Sequence, residues 1–417
     1  MDKFIIYGGK PLKGKVAISG AKNAALPMLV ASLLTKETIT YYGVPNLKDI
    51  FTIKTILTKL GVDFSGSDPL IARAQKLRSH CAPYELVRTM RASILVLGPL
   101  LARFKKAYVS LPGGCAIGAR PVDLHLRGLT QMGAEIRLEK GYIKAETECL
   151  KGAEIYLDIP TVTGTENLMM AASLAKGTTV IRNAACEPEV TALARMLKQM
   201  GAEIEGEGTD VIYIRGVDAL NGTTCTIIPD RIEAGTYMAA AGITGGEIYL
   251  QRCPLEFLGA VVDKLREAGL TITSEGDMVK VTAPSVINST DITTLPYPGF
   301  PTDMQAQFMA LMCLGNGVSV ITERIFENRF MHVLELKRLG ADIKIDGASA
   351  IVRGVPKLIG APVMATDLRA SASLVLAGLA AEGITEIHRI YHLDRGYVQM
   401  EKKLQALGAE IERVAVG

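Results

Sequence analysis

The sequence predicts an α/β protein built from six copies of one supersecondary unit. A short phrase, Leu followed by three residues and then Gly, recurs six times, and its glycines are 72, 68, 68, 71 and 68 residues apart. An apolar residue lies three positions after each glycine, so each phrase is typical of a helix that ends on a glycine cap and leads into a strand. The regular spacing indicates a sixfold internal repeat. The six glycines are Gly61, Gly133, Gly201, Gly269, Gly340 and Gly408.

The first copy shows the elements of the unit. A strand near Val16 precedes a helical run over 24–34, a second strand covers 38–42, and a second helix ends at Gly61. With the strand that follows Gly61, the unit is strand, helix, strand, helix, strand. Short strands that alternate with helices predict α/β units in which each helix covers one face of a sheet.

Composition and charge exclude several classes of protein. The 417 residues are too many for one core, and 48% hydrophobic content excludes disorder. A net charge of +3 gives no bulk attraction to nucleic acid or membrane. Seven widely spaced cysteines and no visible targeting signal favour a reducing cytoplasm. No zinc, phosphate-loop or dinucleotide motif occurs, so we expect no metal and no cofactor. No obligate protein partner is evident.

Charged residues precede the helices in every copy. Asp, Glu and Thr at a first turn suit helix caps, which accounts for Thr163, Glu187 and Asp230. A cation near a helix N-terminus is electrostatically unfavourable unless an anion lies between them, so the cations at these positions indicate an anionic ligand. These cations are Lys22, Arg91, Arg231, Arg329, Arg369 and Arg395.

The second copy carries an insertion within 111–125. This stretch contains three glycines, which predict a mobile loop, and insertions in repeat proteins often carry function. Cys115 lies between these glycines and close to Arg120. A small buried hydrophobe is the common role of a free cysteine. Here the neighbours favour a functional thiol, since glycines cannot bury it and an arginine supplies positive potential.

Seven motifs, in this order along the whole chain, resemble the UDP-N-acetylglucosamine 1-carboxyvinyltransferases, enolpyruvyl transferases of the EPSP synthase family. The cysteine loop is the most specific of them. The motifs are Ser19-Gly-Ala-Lys22-Asn23, Pro112-Gly-Gly-Cys-Ala-Ile-Gly-Ala-Arg-Pro-Val-Asp-Leu-His125, Pro229-Asp-Arg231, Phe300-Pro-Thr-Asp303, Glu323-Arg-Ile-Phe-Glu-Asn-Arg329, Asp367-Leu-Arg369 and Asp394-Arg-Gly396.

The resemblance implies a fold and a reaction. The fold is a two-domain inside-out α/β barrel of the six repeated units, the enolpyruvyl transferase fold. One domain covers 22–229, the other joins 1–21 to 230–417, and the active site lies in the cleft between them. The reaction moves the enolpyruvyl group of phosphoenolpyruvate onto the 3′-hydroxyl of UDP-N-acetylglucosamine and releases phosphate. It needs no metal and is the first committed step of bacterial peptidoglycan synthesis.

The resemblance also implies roles around phosphoenolpyruvate. Cys115 is the proton donor, forms a thioether adduct and is the target of the inhibitor fosfomycin. Asp303 is the base toward the sugar hydroxyl, with Asp367 in the same cleft. Each carboxylate has the alternative role of a structural partner for a neighbouring arginine. The phosphate and carboxylate of phosphoenolpyruvate are held by Lys22, Asn23, Arg120 and Arg395, with Arg91, Arg329 and Arg369 nearby.

The nucleotide sugar has its own set of implied contacts. The chain departs from the family in the segment 158–164, where Pro160 and Thr161 stand in place of a basic contact. The hydroxyl of Thr163 and the backbone of Gly164 remain as donors there. The other implied contacts are Arg120, Pro121, Val122, Asp123, Leu124, Asp303 and Ile325.

Two alternatives stay open at this point. The sister enzyme that uses shikimate 3-phosphate, 3-phosphoshikimate 1-carboxyvinyltransferase, shares the fold but lacks the Pro-Gly-Gly-Cys loop. The other is a non-catalytic repeat protein that binds nucleotide sugars. Such a binder has no need for Cys115, Asp303 and a phosphoenolpyruvate cluster together.

Overall fold

A computed structural model describes residues 2–111 and 122–415. Within them, twenty-four strands form six sheets of four strands each. The strands are β1 (Asp2–Tyr7), β2 (Lys13–Ala17), β3 (Thr38–Tyr42), β4 (Asp63–Gly66), β5 (Leu70–Arg73), β6 (Cys81–Ala82), β7 (Lys106–Ser110), β8 (Glu135–Glu139), β9 (Tyr142–Glu146), β10 (Glu154–Tyr156), β11 (Thr178–Arg182), β12 (Glu203–Glu205), β13 (Val211–Arg215), β14 (Thr223–Thr226), β15 (Glu247–Gln251), β16 (Thr271–Glu275), β17 (Met278–Thr282), β18 (Ile292–Thr293), β19 (Val318–Thr322), β20 (Asp342–Asp346), β21 (Ser349–Arg353), β22 (Pro362–Met364), β23 (Ile384–His388) and β24 (Glu410–Ala415).

Helices connect these strands. The α-helices are α1 (Lys22–Val30), α2 (Lys48–Leu60), α3 (Tyr84–Val87), α4 (Leu97–Phe104), α5 (Asp123–Gln131), α6 (Val162–Ala172), α7 (Pro188–Gln199), α8 (Arg231–Thr244), α9 (Gly259–Glu267), α10 (Gln305–Met312), α11 (His332–Arg338), α12 (Leu368–Ala380) and α13 (Met400–Ala406). Short 3₁₀ segments cover Ala31–Leu34, Arg91–Val96, Leu255–Phe257, Thr302–Met304 and Ile390–Arg395.

All six sheets have the same strand arrangement. The sheet β10-β11-β13-β12 is an example, with its strands named in the order in which they lie side by side. β10 runs parallel to β11, β11 runs antiparallel to β13, and β13 runs antiparallel to β12. The structure therefore adds a fourth strand to the five-element unit that the sequence predicts. The α/β repeat itself is confirmed.

Three sheets take one strand from a distant part of the chain. β14 pairs with β3, and β2 pairs with β15, both in parallel. β1, at the start of the chain, lies between β23 and β24 and supplies the antiparallel fourth strand of the last sheet. These pairings complete the terminal copies, which would otherwise expose an unpaired edge.

The two helices of each copy differ in burial. The first helices α1, α4, α6, α8, α10 and α12 are apolar and buried along most of their length, whereas α2, α5, α7 and α9 have a buried face and a charged face. A helix that is apolar on all sides belongs in a core. The first helices are therefore enclosed rather than laid on one face of a sheet, which is the inside-out arrangement expected from the resemblance.

The glycine phrases end the second helices as predicted. All six glycines have positive φ, between 89° and 122°. In each phrase the residue after the glycine donates its N–H to the carbonyl of the phrase's leucine at 2.9–3.2 Å, as Val62 does to Leu57. This is the Schellman motif, and it needs a left-handed residue that glycine adopts without steric cost.

The described residues form two compact units. One runs from Gly20 to Ile228, and the other joins the residues up to Ser19 with those from Pro229 onward. We call them the 20–228 unit and the 229–417 unit. None of the helices in the described ranges is both long and apolar enough to span a lipid bilayer.

A close approach of α4 to α6 gives a stability prediction. A Cβ added at Gly98 would lie 2.4 Å from the backbone oxygen of Asn167, so Gly98→Ala must push two buried helices apart. We expect it to lower the free energy of unfolding, measured by urea denaturation, by about 2–3 kcal/mol.

Gly259→Ala is the matched control for this prediction. Gly259 is the first residue of α9, and a Cβ added there meets no atom within 4 Å. The control should change stability by less than about 0.5 kcal/mol. Equal urea midpoints for the two variants would contradict the close packing at Gly98.

Candidate active site

Asp303 is the centre of an ion cluster in the 229–417 unit. It lies in the 3₁₀ turn before α10, and its Oδ1 accepts a hydrogen bond from Nη2 of Arg329 at 2.8 Å. Its Oδ2 lies 3.1 Å from Nε and 3.0 Å from Nη2 of Arg369. The two guanidinium groups are about 95% buried, whereas 26% of the Asp303 side chain is exposed. The structure therefore brings together three of the predicted site residues, of which Asp303 is the most exposed.

A second layer of hydrogen bonds orients Arg329 and Ile325. Nη1 of Arg329 donates to the hydroxyl of Thr302 at 3.0 Å, and that hydroxyl donates to Oε2 of Glu323 at 2.8 Å. Oε1 of Glu323 accepts the backbone N–H groups of Ile325 and Phe326. One buried glutamate thus links the Asp303 cluster to the segment that carries Ile325.

Asp367 acts through the helix that carries Arg369. It is the N-cap of α12, and its Oδ1 accepts the N–H groups of Arg369 and Ala370. Burial is the largest single influence on the pKa of Arg369 and would lower it, but the charges of Asp303, Tyr397 and Asp230 together with a hydrogen bond to Tyr397 raise that pKa. Nη1 of Arg369 is buried without a hydrogen-bond partner in the described part of the chain.

Arg395 ends the 3₁₀ segment Ile390–Arg395 in the same unit. The preceding residue, Asp394, is bound by Arg413, with Nη2 of the arginine 2.5 Å from Oδ1. Arg413 also binds Glu401. This salt-bridge network anchors the segment that carries Arg395 to β24.

Lys22 is the centre of the corresponding site in the 20–228 unit. It is the first residue of α1, and its Nζ lies 3.3 Å from Oδ2 of Asp49, the second residue of α2. Both side chains are about nine-tenths buried or more. A buried ammonium requires such a partner to remain charged. Asn23 follows in the first turn of α1 and is half-buried.

The start of α6 corrects one prediction. The helix cap is Thr161, whose hydroxyl accepts the N–H of Gly164 at 3.2 Å, so the assignment of Thr163 as a cap is wrong. Thr161 and Thr163 both carry a hydroxyl at this turn. The helix begins at Val162, so Thr161 holds the cap position and Thr163 is already inside the helix. Glu187 occupies the N-cap position of α7 without a side-chain cap bond, so the cap role predicted for it is also wrong, whereas that of Asp230 on α8 is confirmed.

Thr163 is instead linked to His125. The hydroxyl of Thr163 lies 3.4 Å from Nε2 of His125, and Nδ1 of the same ring lies 3.0 Å from Nδ2 of Asn167. Burial and the positive charge of Arg91, which begins the 3₁₀ segment Arg91–Val96, lower the pKa of His125 to about 4. The imidazole is therefore neutral at physiological pH.

Glu166 lies one turn along the same helix and is fully buried. Burial, followed by the charges of Glu189 and Glu187, raises the pKa of Glu166 well above its usual range. Burial therefore favours the neutral form of this carboxyl, which adds less repulsion toward an anion at the start of α6 than a carboxylate would.

Several predicted residues lie outside the described ranges. Cys115, Arg120 and Pro121 are among them, so the predictions for these three stay predictions. Val122, Asp123 and Leu124 are described and lead into α5. No group of three or more His, Cys, Asp or Glu in 2–111 and 122–415 is arranged to hold a metal ion.

Sequence reasoning missed four residues of these clusters. Asp49, His125, Asn167 and Glu323 stand close to predicted residues but were not assigned roles. Asn167 had a signal in the sequence, because it is polar within the apolar run of α6. His125 and Glu323 stand at the ends of two of the seven motifs, which was a signal for them, whereas Asp49 had none.

Comparison with known proteins places the chain in a family. The pattern of the EPSP synthase (3-phosphoshikimate 1-carboxyvinyltransferase) family matches residues 6–404. The UDP-N-acetylglucosamine 1-carboxyvinyltransferase of Nitratidesulfovibrio vulgaris strain DP4 is 61% identical, with 100% of both chains covered. The protein of that name from Desulfosudis oleivorans is 59% identical over 99% of this chain and 100% of its own. The chain belongs to the UDP-N-acetylglucosamine 1-carboxyvinyltransferases of the EPSP synthase family.

Solved structures confirm the predicted fold. The enolpyruvyl transferase NikO from Streptomyces tendae has a TM-score of 0.89 at 24% identity, covering 100% of this chain and 99% of its own. EPSP synthase from Acinetobacter baumannii has a TM-score of 0.78 at 20% identity, with 100% of both chains covered. At these identities the likeness establishes the enolpyruvyl transferase fold.

The neutral state of His125 predicts a pH dependence of stability. The folded chain resists protonation of His125 down to a pKa of about 4, whereas in the unfolded chain the imidazole takes up the proton below its ordinary pKa of 6.5. The contribution of His125 to the free energy of unfolding is therefore fully present above pH 6.5, and it is lost as the pH falls from 6.5 toward 4. Its contribution to the free energy of unfolding should drop by about 2 kcal/mol between pH 7 and pH 5.

The comparison with His125→Gln isolates this contribution. Urea unfolding followed by circular dichroism should show a loss between pH 7 and pH 5 that is smaller in the variant by that amount. Parallel pH profiles for the two chains would mean that His125 is not held neutral in the folded state.

Proposed function

We propose that the protein transfers the enolpyruvyl group of phosphoenolpyruvate to the 3′-hydroxyl of UDP-N-acetylglucosamine and releases phosphate. The observation that carries this proposal is the identity of 61% over the full length of both chains with a protein named for that reaction. The Pro-Gly-Gly-Cys loop and the ordered cationic motifs support it. This transfer would be the first committed step of peptidoglycan synthesis, and it would take place in the cytoplasm.

The reaction is an addition followed by an elimination. The sugar oxygen forms a bond to C2 of phosphoenolpyruvate as C3 takes up a proton, which gives a tetrahedral ketal. Loss of a proton from C3 then expels phosphate and restores the double bond. The site must bind a dense anion, deliver a proton to C3 and accept one from the hydroxyl.

The cations supply the anion binding. Lys22, Asn23, Arg120 and Arg395 hold phosphoenolpyruvate, with Arg91 nearby. Guanidinium groups fit phosphate and carboxylate bidentately, which suits a substrate with both groups. The buried pair of Lys22 with Asp49 supports this role, because it keeps the ammonium charged and fixed in position at the start of α1.

Asp303 accepts the proton of the sugar hydroxyl. An ionised carboxylate offers about four acceptor sites, so it can accept from several donors at once. The partial exposure of the Asp303 side chain supports this role, since its two arginine partners are almost fully buried. Arg329 and Arg369 orient it, and Asp367 contributes by capping the helix that carries Arg369.

The nucleotide sugar binds along the start of α5 and the start of α6. Val122, Asp123 and Leu124 follow Arg120 and Pro121 into α5, and Thr163 with Gly164 lies in the first turn of α6. Ile325 completes the set from the segment that Glu323 holds. The N-terminus of α6 favours a phosphate oxygen through its oriented N–H groups.

One assay tests the proposal against both alternatives. Phosphate release from phosphoenolpyruvate is measured with UDP-N-acetylglucosamine, with shikimate 3-phosphate and with no acceptor. We expect release only with the nucleotide sugar. Release only with shikimate 3-phosphate would favour the sister reaction, and binding without release would favour a nucleotide-sugar binder.

Asp303→Asn tests the proton acceptor. The amide cannot take up the hydroxyl proton, so we expect turnover to fall by roughly a hundredfold or more while both substrates still bind. Asp291→Asn is the matched control, because Asp291 is an exposed acid of the same unit whose Oδ1 accepts the N–H of Val320 at 2.7 Å. Turnover of Asp303→Asn close to that of the control would leave Asp303 a binding residue only.

Variants of Cys115 test the proton donor. Cys115→Asp keeps a titratable proton but cannot form a thioether, so it should remain active with its optimum at lower pH and should escape alkylation by fosfomycin. Cys115→Ser should be nearly inactive, because a hydroxyl is too weak an acid. An aspartate variant that folds, binds both substrates and is as inactive as the serine variant would show that covalent attack, and not proton donation, is essential.

A further inference from the structure

A chain of hydrogen bonds runs through the core of the 20–228 unit to the start of α6. The N–H of Gly98 donates to Oδ1 of Asn167 at 2.7 Å, and Nδ2 of Asn167 lies 3.3 Å from the carbonyl of Ile94. The same Nδ2 lies 3.0 Å from Nδ1 of His125, whose Nε2 lies 3.4 Å from the hydroxyl of Thr163. Asn167 is fully buried.

Two backbone groups settle the orientation of the Asn167 amide. A backbone N–H can only donate, so the atom that faces Gly98 must be the amide oxygen. A backbone carbonyl can only accept, so the atom that faces Ile94 must be the amide nitrogen. Both requirements agree, and the atom next to His125 is therefore the NH₂ group.

The orientation of the amide determines the tautomer of His125. A donor at Nδ1 requires an unprotonated Nδ1, because a proton there would point at the NH₂ group of Asn167. The neutral ring therefore carries its proton on Nε2. Nε2–H is the donor toward the hydroxyl of Thr163, whose oxygen accepts, so the hydroxyl's own proton is directed elsewhere.

Thr163 is placed where an anion is expected. It is the second residue of α6, two positions after the capping residue Thr161. The segment 158–164 carries Pro160 and Thr161 where the resemblance implies a basic contact. A hydroxyl that is committed to donation can replace part of that contact, since hydrogen bonds to charged oxygen are stronger than neutral ones.

We propose that Asn167 is a positioning residue that holds His125 as the Nε2–H tautomer, so that the Thr163 hydroxyl donates to a phosphate oxygen of the nucleotide sugar. The identity of the ligand rests on the proposed function. The tautomer does not, because it follows from the protein's own hydrogen bonds.

Nuclear magnetic resonance of the full chain tests the tautomer directly. Two-bond ¹⁵N–¹H correlations of labelled histidines distinguish the Nε2–H form, the Nδ1–H form and the imidazolium. The signals missing from His125→Gln assign His125. We expect the Nε2–H form at pH 7 without ligand, and either of the other two forms would overturn the proposal.

Asn167→Asp tests the link to binding. A carboxylate can still accept from Gly98 but presents an acceptor to Nδ1, so His125 should change to the Nδ1–H form, whose Nε2 becomes an acceptor for the hydroxyl proton of Thr163. The signals of His332, which is buried in the other unit, should not move. KM for UDP-N-acetylglucosamine should rise about tenfold, with kcat much less affected, because one donor to a charged oxygen is lost.

A double-variant cycle separates positioning from general destabilisation. Thr163→Val should raise the same KM by a similar factor, and Asn167→Asp combined with Thr163→Val should be no worse than either change alone. Additive losses, or a changed tautomer with an unchanged KM, would overturn the proposal. The wild-type spectrum and Thr163→Val decide the question if Asn167→Asp does not fold.

Calorimetry separates this proposal from the proposed function. A wild-type chain that binds UDP-N-acetylglucosamine but releases no phosphate would overturn only the reaction, and the variants would then be compared by their affinities. A folded chain that binds no UDP-N-acetylglucosamine would overturn both.

Discussion

The burial of the first helix of each copy is the constraint on which the rest of the structure depends. These helices are apolar on nearly all sides, so they are stable only when sheets and second helices enclose them completely. Complete enclosure requires that each unit closes on itself. The pairings of β14 with β3 and of β1 between β23 and β24 achieve this closure, because they fill the edges that a linear array of repeats leaves open.

The same burial explains why the candidate site residues occur in bonded sets. Lys22 and Arg369 lie in the first turns of buried helices, where a charge loses its hydration and must find a partner. Lys22 finds Asp49, and Arg369 finds Asp303. A ligand anion that enters such a site meets donors that are already oriented, so little reorganisation is needed on binding.

The local features of the fold were predictable from the sequence. The six glycine phrases have the expected positive φ and Schellman bonds, because a helix C-terminus depends on residues within one turn of it. The caps were predictable only in part. Asp230 is a cap, but at α6 the choice between Thr161 and Thr163 depends on the residue at which the helix begins, and a threonine suits either position.

The sequence by itself determined the repeat, the helix ends and the set of charged residues available for an anionic substrate. Only the tertiary structure decided which groups meet. Asp303 binds arginines 26 and 66 residues away, and Asn167 reaches His125 from 42 residues away. Such bonds depend on how buried helices pack against one another, and the spacing of residues along the chain carries no record of that packing.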